Sequence, residues 1–468
     1  MKGGINKAVK KFCFHFYLLI LVLQSGCYGG GLSIATPSMT GGPTPQIEPI
    51  SSVTAVITEP PKPIPSAALP AESELPTYPP ETRTKSQCLD ITSIPIHEIG
   101  SSGILVLENR ASLDEGHYKP GTFHLEMRSG QMTEITGASE NQVEHVISPD
   151  RKLIAYRNGT FNTVGKVIKT ELVVADASNQ LVTAIPWEEG WIEMPAWLDN
   201  ERLVVNASGL NPEESAGDTP ATLLVLNPFS GERQILKPDF PRILNTRSTL
   251  SAILPFWEGW SGAIHDPTLT RAIYPRFIGD NEEMYTYAIW DPSKRQLVAT
   301  LEDVFARFSL GTDFPMPKWS PDGSRFVFQG FIATQDPPIK IELYEVSRDG
   351  QTRQLTQLSP VAYVAESSYS WSHDSQHIAM FLDPPFGAAD EKARVAVLDM
   401  ETLKITDYCV SIAFSGDDYP IWSPDGYQFV ITDWREDGHR RVILVDIEKN
   451  VATQIAEDME PVGWMVAP

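Results

Sequence analysis

Trp319-Ser320-Pro321-Asp322-Gly323 leads into Arg325 to Gln329, and Trp422-Ser423-Pro424-Asp425-Gly426 leads into Gln428 to Thr432. Between them, Trp371-Ser372-His373-Asp374-Ser375 leads into His377 to Leu382, so the tryptophans stand 52 and 51 residues apart. Weaker copies precede these three: Ile147-Ser148-Pro149-Asp150, Trp197-Leu198-Asp199-Asn200 and, poorest, His265-Asp266-Pro267. Ser-Pro-Asp-Gly suits a type I turn, because proline fixes φ at the second position, aspartate suits the third and glycine closes it. A tight turn between two short apolar runs is a hairpin. Each unit then carries two further strand-like runs. They are Ile341 to Ser347 and Arg353 to Thr356, Arg394 to Asp399 and Leu403 to Tyr408, Arg441 to Asp446 and Ala452 to Ala456. Leu172 to Asp176 with Leu181 to Ile185, and Leu223 to Asn227 with Arg233 to Leu236, repeat the pattern upstream. Four strands in a unit of about 50 residues are a propeller blade.

These residues resemble the TolB-type, WD40-like propeller repeat over residues 100–468. The resemblance implies an all-β propeller of four-stranded antiparallel blades with no chemistry of its own. Seven blades are expected. Six begin at the turns above, and the seventh is shared between the termini. Pro461 to Val466 supplies its first strand; Ile104 to Glu108, Thr122 to Met127 and Met132 to Thr136 supply the others. Such a closure removes exposed sheet edges. Six blades follow instead if the His265 unit is an insertion.

The chain has 468 residues, 42% hydrophobic, enough for a large core. Its net charge of −23, from 60 acidic and 37 basic side chains, argues against nucleic acid as a partner. Lys2, Lys7, Lys10 and Lys11 precede the apolar run Phe12 to Leu23, the layout of a secretory signal and too short to span a bilayer. Leu23-Gln24-Ser25-Gly26-Cys27 resembles the lipobox of bacterial lipoproteins, with Gln24 where an aliphatic residue is usual. The resemblance implies a signal peptide over 1–26 and a lipid on Cys27. Ordinary signal-peptidase cleavage and an uncleaved anchor are the alternatives. Loss of 1–26 removes four lysines and no acid, taking the charge from −23 to −27. Residues 27–87 read as a lipid-anchored Pro/Ser/Thr-rich linker, disordered or polyproline-like, with 12 of the 38 prolines. The propeller domain is expected over 88–468. Cys88 and Cys409 then remain, and in an exported protein they read as a disulfide, the alternative being two buried thiols.

Catalytic patterns are poor. Gly259-Trp260-Ser261-Gly262-Ala263 lacks the last glycine of a nucleophile elbow, and no His-Glu-x-x-His, Cys-x-x-Cys or phosphate loop occurs. Two features mark one face. Trp187-Glu188-Glu189-Gly190-Trp191 and Trp257-Glu258-Gly259-Trp260 echo each other in connections leading to a blade's first strand. Trp187, Trp191, Trp257 and Trp260 are therefore candidate ligand-binding residues, with packing between blades as the alternative. Glu193, Asp313, Glu366, Asp417, Asp418 and Glu460, with Glu144, stand just before the first-strand aromatic. In equivalent blades they ring one end of the channel, where Ca²⁺ or a basic segment would relieve their repulsion; a solvated acidic rim is the bland alternative.

No cofactor is required by any of this. The expected function is a non-catalytic extracytoplasmic lipoprotein, periplasmic or at the cell surface, whose channel face binds a protein, peptide or glycan of the cell envelope. The alternative is a propeller enzyme of glycoside hydrolase or lyase type, acting on polysaccharide through channel carboxylates.

Overall fold

The computed structural model describes residues 84–109, 121–135, 142–161, 167–187, 191–208, 222–236, 265–278, 281–294, 296–301, 304, 306–307, 317–330, 341–359, 362–384, 392–414 and 418–467. The expected signal peptide, Cys27 and nearly all of the linker lie outside them, as do Trp257, Trp260, Asp313 and Asp417.

Seven sheets follow one another along the chain. Blade 1 is Gln142–Ile147, Leu153–Phe161, Val167–Asp176 and Leu181–Trp187; blade 2 is Trp191–Trp197, Leu203–Ser208, Thr222–Leu226 and Arg233–Leu236. Blade 3 is Ala272–Ile278, Asn281–Asp291 and Gln296–Thr300, with Ala306–Arg307 also paired to the middle strand. Blade 4 is Lys318–Trp319, Arg325–Gly330, Glu342–Ser347 and Thr352–Gln354. Blade 5 is Tyr363–Trp371, His377–Asp383, Ala393–Asp399 and Ile405–Ile412; blade 6 is Ile421–Trp422, Gln428–Trp434, Arg440–Asp446 and Val451–Glu457. Blade 7 takes Glu460–Met465 from the end of the chain and Ile104–Asn109, Gly121–Glu126 and Gln131–Glu134 from its start. The shared closure is as expected, and the His265 unit is a blade, not an insertion.

The turn motif recurs because one set of bonds recurs. The serine hydroxyl donates to the aspartate Oδ1 at 2.7 Å (Ser148–Asp150), 2.5 Å (Ser320–Asp322), 2.6 Å (Ser372–Asp374) and 2.5 Å (Ser423–Asp425). The same Oγ accepts the backbone N–H five residues on, from Leu153, Arg325, His377 and Gln428. In the poorest copy Asp266 does the serine's work: its Oδ1 accepts from Arg271 N at 2.6 Å. His265 fills the tryptophan's place there, and burial pushes its imidazole down to about 4. The fourth turn position is left-handed in five of these six turns, with φ of 60° at Arg151, 56° at Leu269, 66° at Gly323, 60° at Ser375 and 77° at Gly426. Glycine reaches that region without strain; arginine, leucine and serine do not.

The tryptophans then tie blade to blade. Trp197, Trp371 and Trp422 each donate their indole N–H at 3.1 Å to Val146 O, Lys318 O and Ser370 O, the residue before the matching position of an earlier blade. Apolar clusters fill the seams between blades. Leu172 and Leu203 meet between blades 1 and 2, Phe328 and Ile289 between 3 and 4, Phe381 and Ile431 between 5 and 6, and Leu105 and Val430 between 6 and 7. Each such residue contributes about 1.5–3 kcal/mol by leaving water.

The segment before blade 7 is a strap. Thr84–Ser86 adds a fifth, parallel strand to blade 5 against Ile405–Asp407, and Ile91–Thr92 does the same for blade 6 against Ala452–Thr453. Cys88 and Cys409 are disulfide-bonded across 321 residues of sequence, Cα–Cα 4.6 Å. Cys409 sits at a bulge with φ 56°, its N–H bound to Asp407 Oδ1 at 2.8 Å. Among the described residues, strand pairing starts at Thr84.

Candidate functional site

The ring has two unlike ends. At one lie the Ser-Pro-Asp-Gly turns and the turns between third and fourth strands. At the other lie the connections between blades and those between second and third strands. Of the sequence-predicted ligand and metal residues, the described ones, Trp187, Trp191, Glu193, Glu366, Asp418 and Glu460, belong to this second, connection end.

There the inner strands carry a recurrent β-bulge: between Val143 and Val146, between Glu193 and Ala196, and between Val364 and Tyr369. Glu144, Glu193 and Glu366 sit in or beside it, and bulges re-aim the side chains they carry. For these three, and for Trp191, the described structure is the backbone.

Trp187 is placed as in the alternative given for it, packing between blades. It is the last residue of blade 1's outer strand and only 2% exposed. Its ring packs with Leu172, Ile185 and blade 2's Leu203, and the Arg233 guanidinium lies 4.3 Å over it. The strand runs two residues past Ile185, and its two-residue period turns Ile185 and Trp187 inward together. Trp187 is therefore a seam residue, not a ligand-facing one.

Asp418 and Glu460, read as metal ligands, are held by protein donors. Trp434 Nε1 donates to Asp418 Oδ2 at 2.8 Å, and the half-buried Arg440 ion-pairs with the buried Glu460. Arg440 also stacks on Trp434, 3.6 Å from guanidinium to ring centre. Asp418, Trp434, Arg440 and Glu460 so form one chain of contacts across the seam of blades 6 and 7. Among the described residues no group of three His, Cys, Asp or Glu side chains is placed to hold a metal ion.

Two further clusters share this end. Lys318, on blade 4's inner strand, donates Nζ–H to Tyr369 O of blade 5 at 2.7 Å. Its ammonium lies 4.9 Å from the Tyr369 ring and 4.6 Å from the ring of Tyr419 of blade 6. Lys318 keeps some accessible surface, yet protein surrounds it, and burial pushes its amine down to about 7. Tyr369 is buried, whereas Tyr419 is 47% exposed. In blade 5, burial raises the Asp383 carboxyl, with the Tyr363 hydroxyl opposing through a hydrogen bond.

Trp434, Arg440, Lys318 and Tyr419 were missed in the sequence because none belongs to the repeat. Lys318 did leave a trace: it is a charged residue directly before a motif tryptophan, where Ala196, Ser370 and Ile421 stand in other blades.

No family model and no curated protein matches the chain. Solved structures do. TolB from Acinetobacter baumannii is 14% identical, covering 74% of this chain and 79% of its own, TM-score 0.39. The β-propeller domain of the Trilobed protease from Pyrococcus furiosus is 15% identical, covering 80% and 98%, TM-score 0.46. The Pyrococcus horikoshii acylaminoacyl peptidase is 14% identical, covering 76% of this chain and 51% of its own, TM-score 0.48. Likeness at this level concerns architecture and carries no activity across. This chain is a seven-bladed β-propeller whose structural neighbours include TolB proteins.

Proposed function

We propose that the chain is a non-catalytic binding protein of the cell envelope, exported and tethered through Cys27, whose connection end docks a peptide segment or glycan. The observation that carries this reading is Tyr419. A large aromatic stands 47% exposed two residues before blade 6's innermost strand, beside a cation and in the same blade as the Trp434–Arg440 stack. Exposed aromatics whose neighbours are already fixed lose little entropy on binding. The disulfide supports the export reading, since such bonds persist in oxidising compartments.

The test is titration of the purified chain with envelope glycan fragments and envelope-protein peptides, comparing Tyr419→Ala and Trp434→Ala with the turn-end control Ser324→Ala. At least tenfold weaker binding in the first two, with the control unchanged, supports the reading. Equal affinity in all three overturns it.

A polysaccharide-cleaving enzyme is the second reading, favoured by Asp383, since burial raises its carboxyl, the direction in which a general acid is tuned. Turnover of an acidic or neutral polysaccharide that disappears in Asp383→Asn would establish it.

A further inference from the structure

Blade 2 departs from the repeat at the turn end, and its departures meet in one place. In its first turn Asn200 and Glu201 stand where Asp322 and Gly323 stand in blade 4, and Asp425 and Gly426 in blade 6. In its last turn Asn227 stands where Asp176, Asp291, Asp399 and Asp446 stand in blades 1, 3, 5 and 6. Phe229, two residues on, takes the place of Ser178, Ser293, Glu401 and Glu448. Asn200, Glu201, Asn227, Phe229 and Ser230 together line a cleft of about 580 Å³ between the two turns. That is the size of a small-molecule site. The turns themselves are kept by the amide oxygens. Asn227 Oδ1 accepts the N–H groups of Phe229 and Ser230, both at 2.9 Å, and Asn200 Oδ1 accepts Asp150 N–H of blade 1 at 2.8 Å. An amide also carries two N–H donors, where an ionised carboxylate has none. Exchanging aspartate for asparagine thus preserves the frame and adds donors to the cleft. The Phe229 ring is 48% exposed, on a turn those bonds already hold. Glu201 brings acceptor oxygens, while the cation beside it, Arg202, is bound by Asp199 at 2.7 Å and 2.6 Å.

We propose that this cleft of blade 2 binds a neutral sugar, one pyranose unit of an oligosaccharide. The C–H face of the sugar ring lies on Phe229, because the face of an aromatic ring is negative and attracts weakly positive hydrogens. Sugar hydroxyl oxygens accept from the Asn200 and Asn227 amides, and hydroxyl protons go to Glu201. The same groups discriminate against other ligands. An organic cation would suit Phe229 and Glu201 but leave both amides without an acceptor. An acidic sugar would meet Glu201 on a chain of net charge −23. The turns are bonded before the ligand arrives, so little order has to be created on binding. The site is at the opposite end of the ring from Tyr419, and it stands or falls separately from docking there.

The experiment is a saturation-transfer NMR titration of the full chain with cellobiose, lactose and maltose at millimolar concentration, with tetramethylammonium and digalacturonate as charged comparators. At least one neutral disaccharide is expected to bind more tightly than either comparator. Phe229→Ala should weaken that binding by on the order of tenfold, and so should Asn227→Asp, which keeps the turn's bonds and loses the donors. The urea midpoint of Asn227→Asp should stay where it is, so that lost binding is not lost folding. Leu297→Ala, which trims another exposed apolar side chain of the turn end, should leave the affinity unchanged, as should Tyr419→Ala. Binding of none of the three disaccharides, full affinity in Phe229→Ala or Asn227→Asp, or a preference for either comparator overturns the proposal. Loss in Tyr419→Ala with Phe229→Ala unaffected also overturns it, and assigns the sugar to the connection end instead.

Discussion

The two ends of the ring are built on opposite plans. At the turn end, one bonding pattern is copied from blade to blade. Ser and Asp lock the first turn of the blade, and Asp176, Asn227, Asp291, Asp399 and Asp446 lock the last by accepting backbone N–H groups two to four residues on. Neighbouring turns also touch: Asp150 N–H donates to Asn200, Arg325 to Ser375 O, and Arg348 pairs with Asp266 at 2.8 Å. Arg151 reaches from blade 1 to the Trp422 and Trp464 carbonyls of blades 6 and 7. Among the described residues of the connection end no such bonding pattern repeats. The contacts there differ from blade to blade: Lys318 with two tyrosines, Trp434 with Asp418, Arg440 with Glu460. The contrast teaches where stability and recognition reside. Repetition makes a frame, because the same local bond is formed again in each blade. Variation makes a surface, because a ligand reads differences.

Breaking the frame should therefore register in stability. The largest effect is expected from replacing Cys88 and Cys409 together with serine. The strap then loses a bond closing a 321-residue loop, a loss of about 5 kcal/mol in the chain-entropy model, read from the urea midpoint. An unmoved midpoint would mean that the strap is held by its strand pairing alone.

Next is Asp266→Asn. The carboxylate is fully buried, bound to Arg271 N–H and paired with Arg348. Leaving the guanidinium unmatched should cost about 3 kcal/mol. Burial pushes the Asp266 carboxyl up, but its hydrogen bonds with Thr268, Arg348 and Arg271 together hold it below its ordinary value. Its contribution is thus complete above the unfolded carboxylate value and vanishes as pH falls through the lower folded one. The variant should accordingly flatten the acid side of the stability profile.

Trp371→Phe keeps most of the ring but removes the bond to Lys318 O, with an expected loss of about 1 kcal/mol. Ser375→Gly should act oppositely. Relief at φ 60° outweighs glycine's greater chain entropy, and a gain of about 0.5 kcal/mol is expected in the same assay. A loss instead would show that the serine side chain contributes to the turn.

The smallest effect sharpens the other side of the comparison. His439, on the blade 6 loop of the connection end, is hydrogen-bonded to Asp458 at 2.9 Å, which raises its imidazole above the ordinary value. The pair's contribution is present below about 6.5 and is lost as pH rises through the higher folded value. An NMR titration should place His439 above a free histidine, and Asp458→Asn should bring it back while leaving the thermal midpoint nearly unchanged.

The amino-acid sequence alone determined the blades and their closure, and left only the choice between six and seven to the structure. Serine, proline, aspartate and glycine act on the backbone within five residues of themselves, so a tight turn is written where it forms. Strand alternation is equally local, and the Pro461–Val466 segment announced its partner near Ile104 by lacking a turn of its own. Which side chains would be bare was settled by tertiary structure. Trp187 and Tyr419 are both aromatics near a connection, yet one is closed into a seam by Leu203 and Arg233 while the other stands open beside Lys318. Asp418 and Glu460 look alike in a row of acids, but their donors come from Trp434 and Arg440, sixteen to twenty residues away on other strands. Solvent exposure, charge pairing and the proton affinity of a buried amine are sums over neighbours in space. Only folding brings those neighbours from three different blades to one lysine.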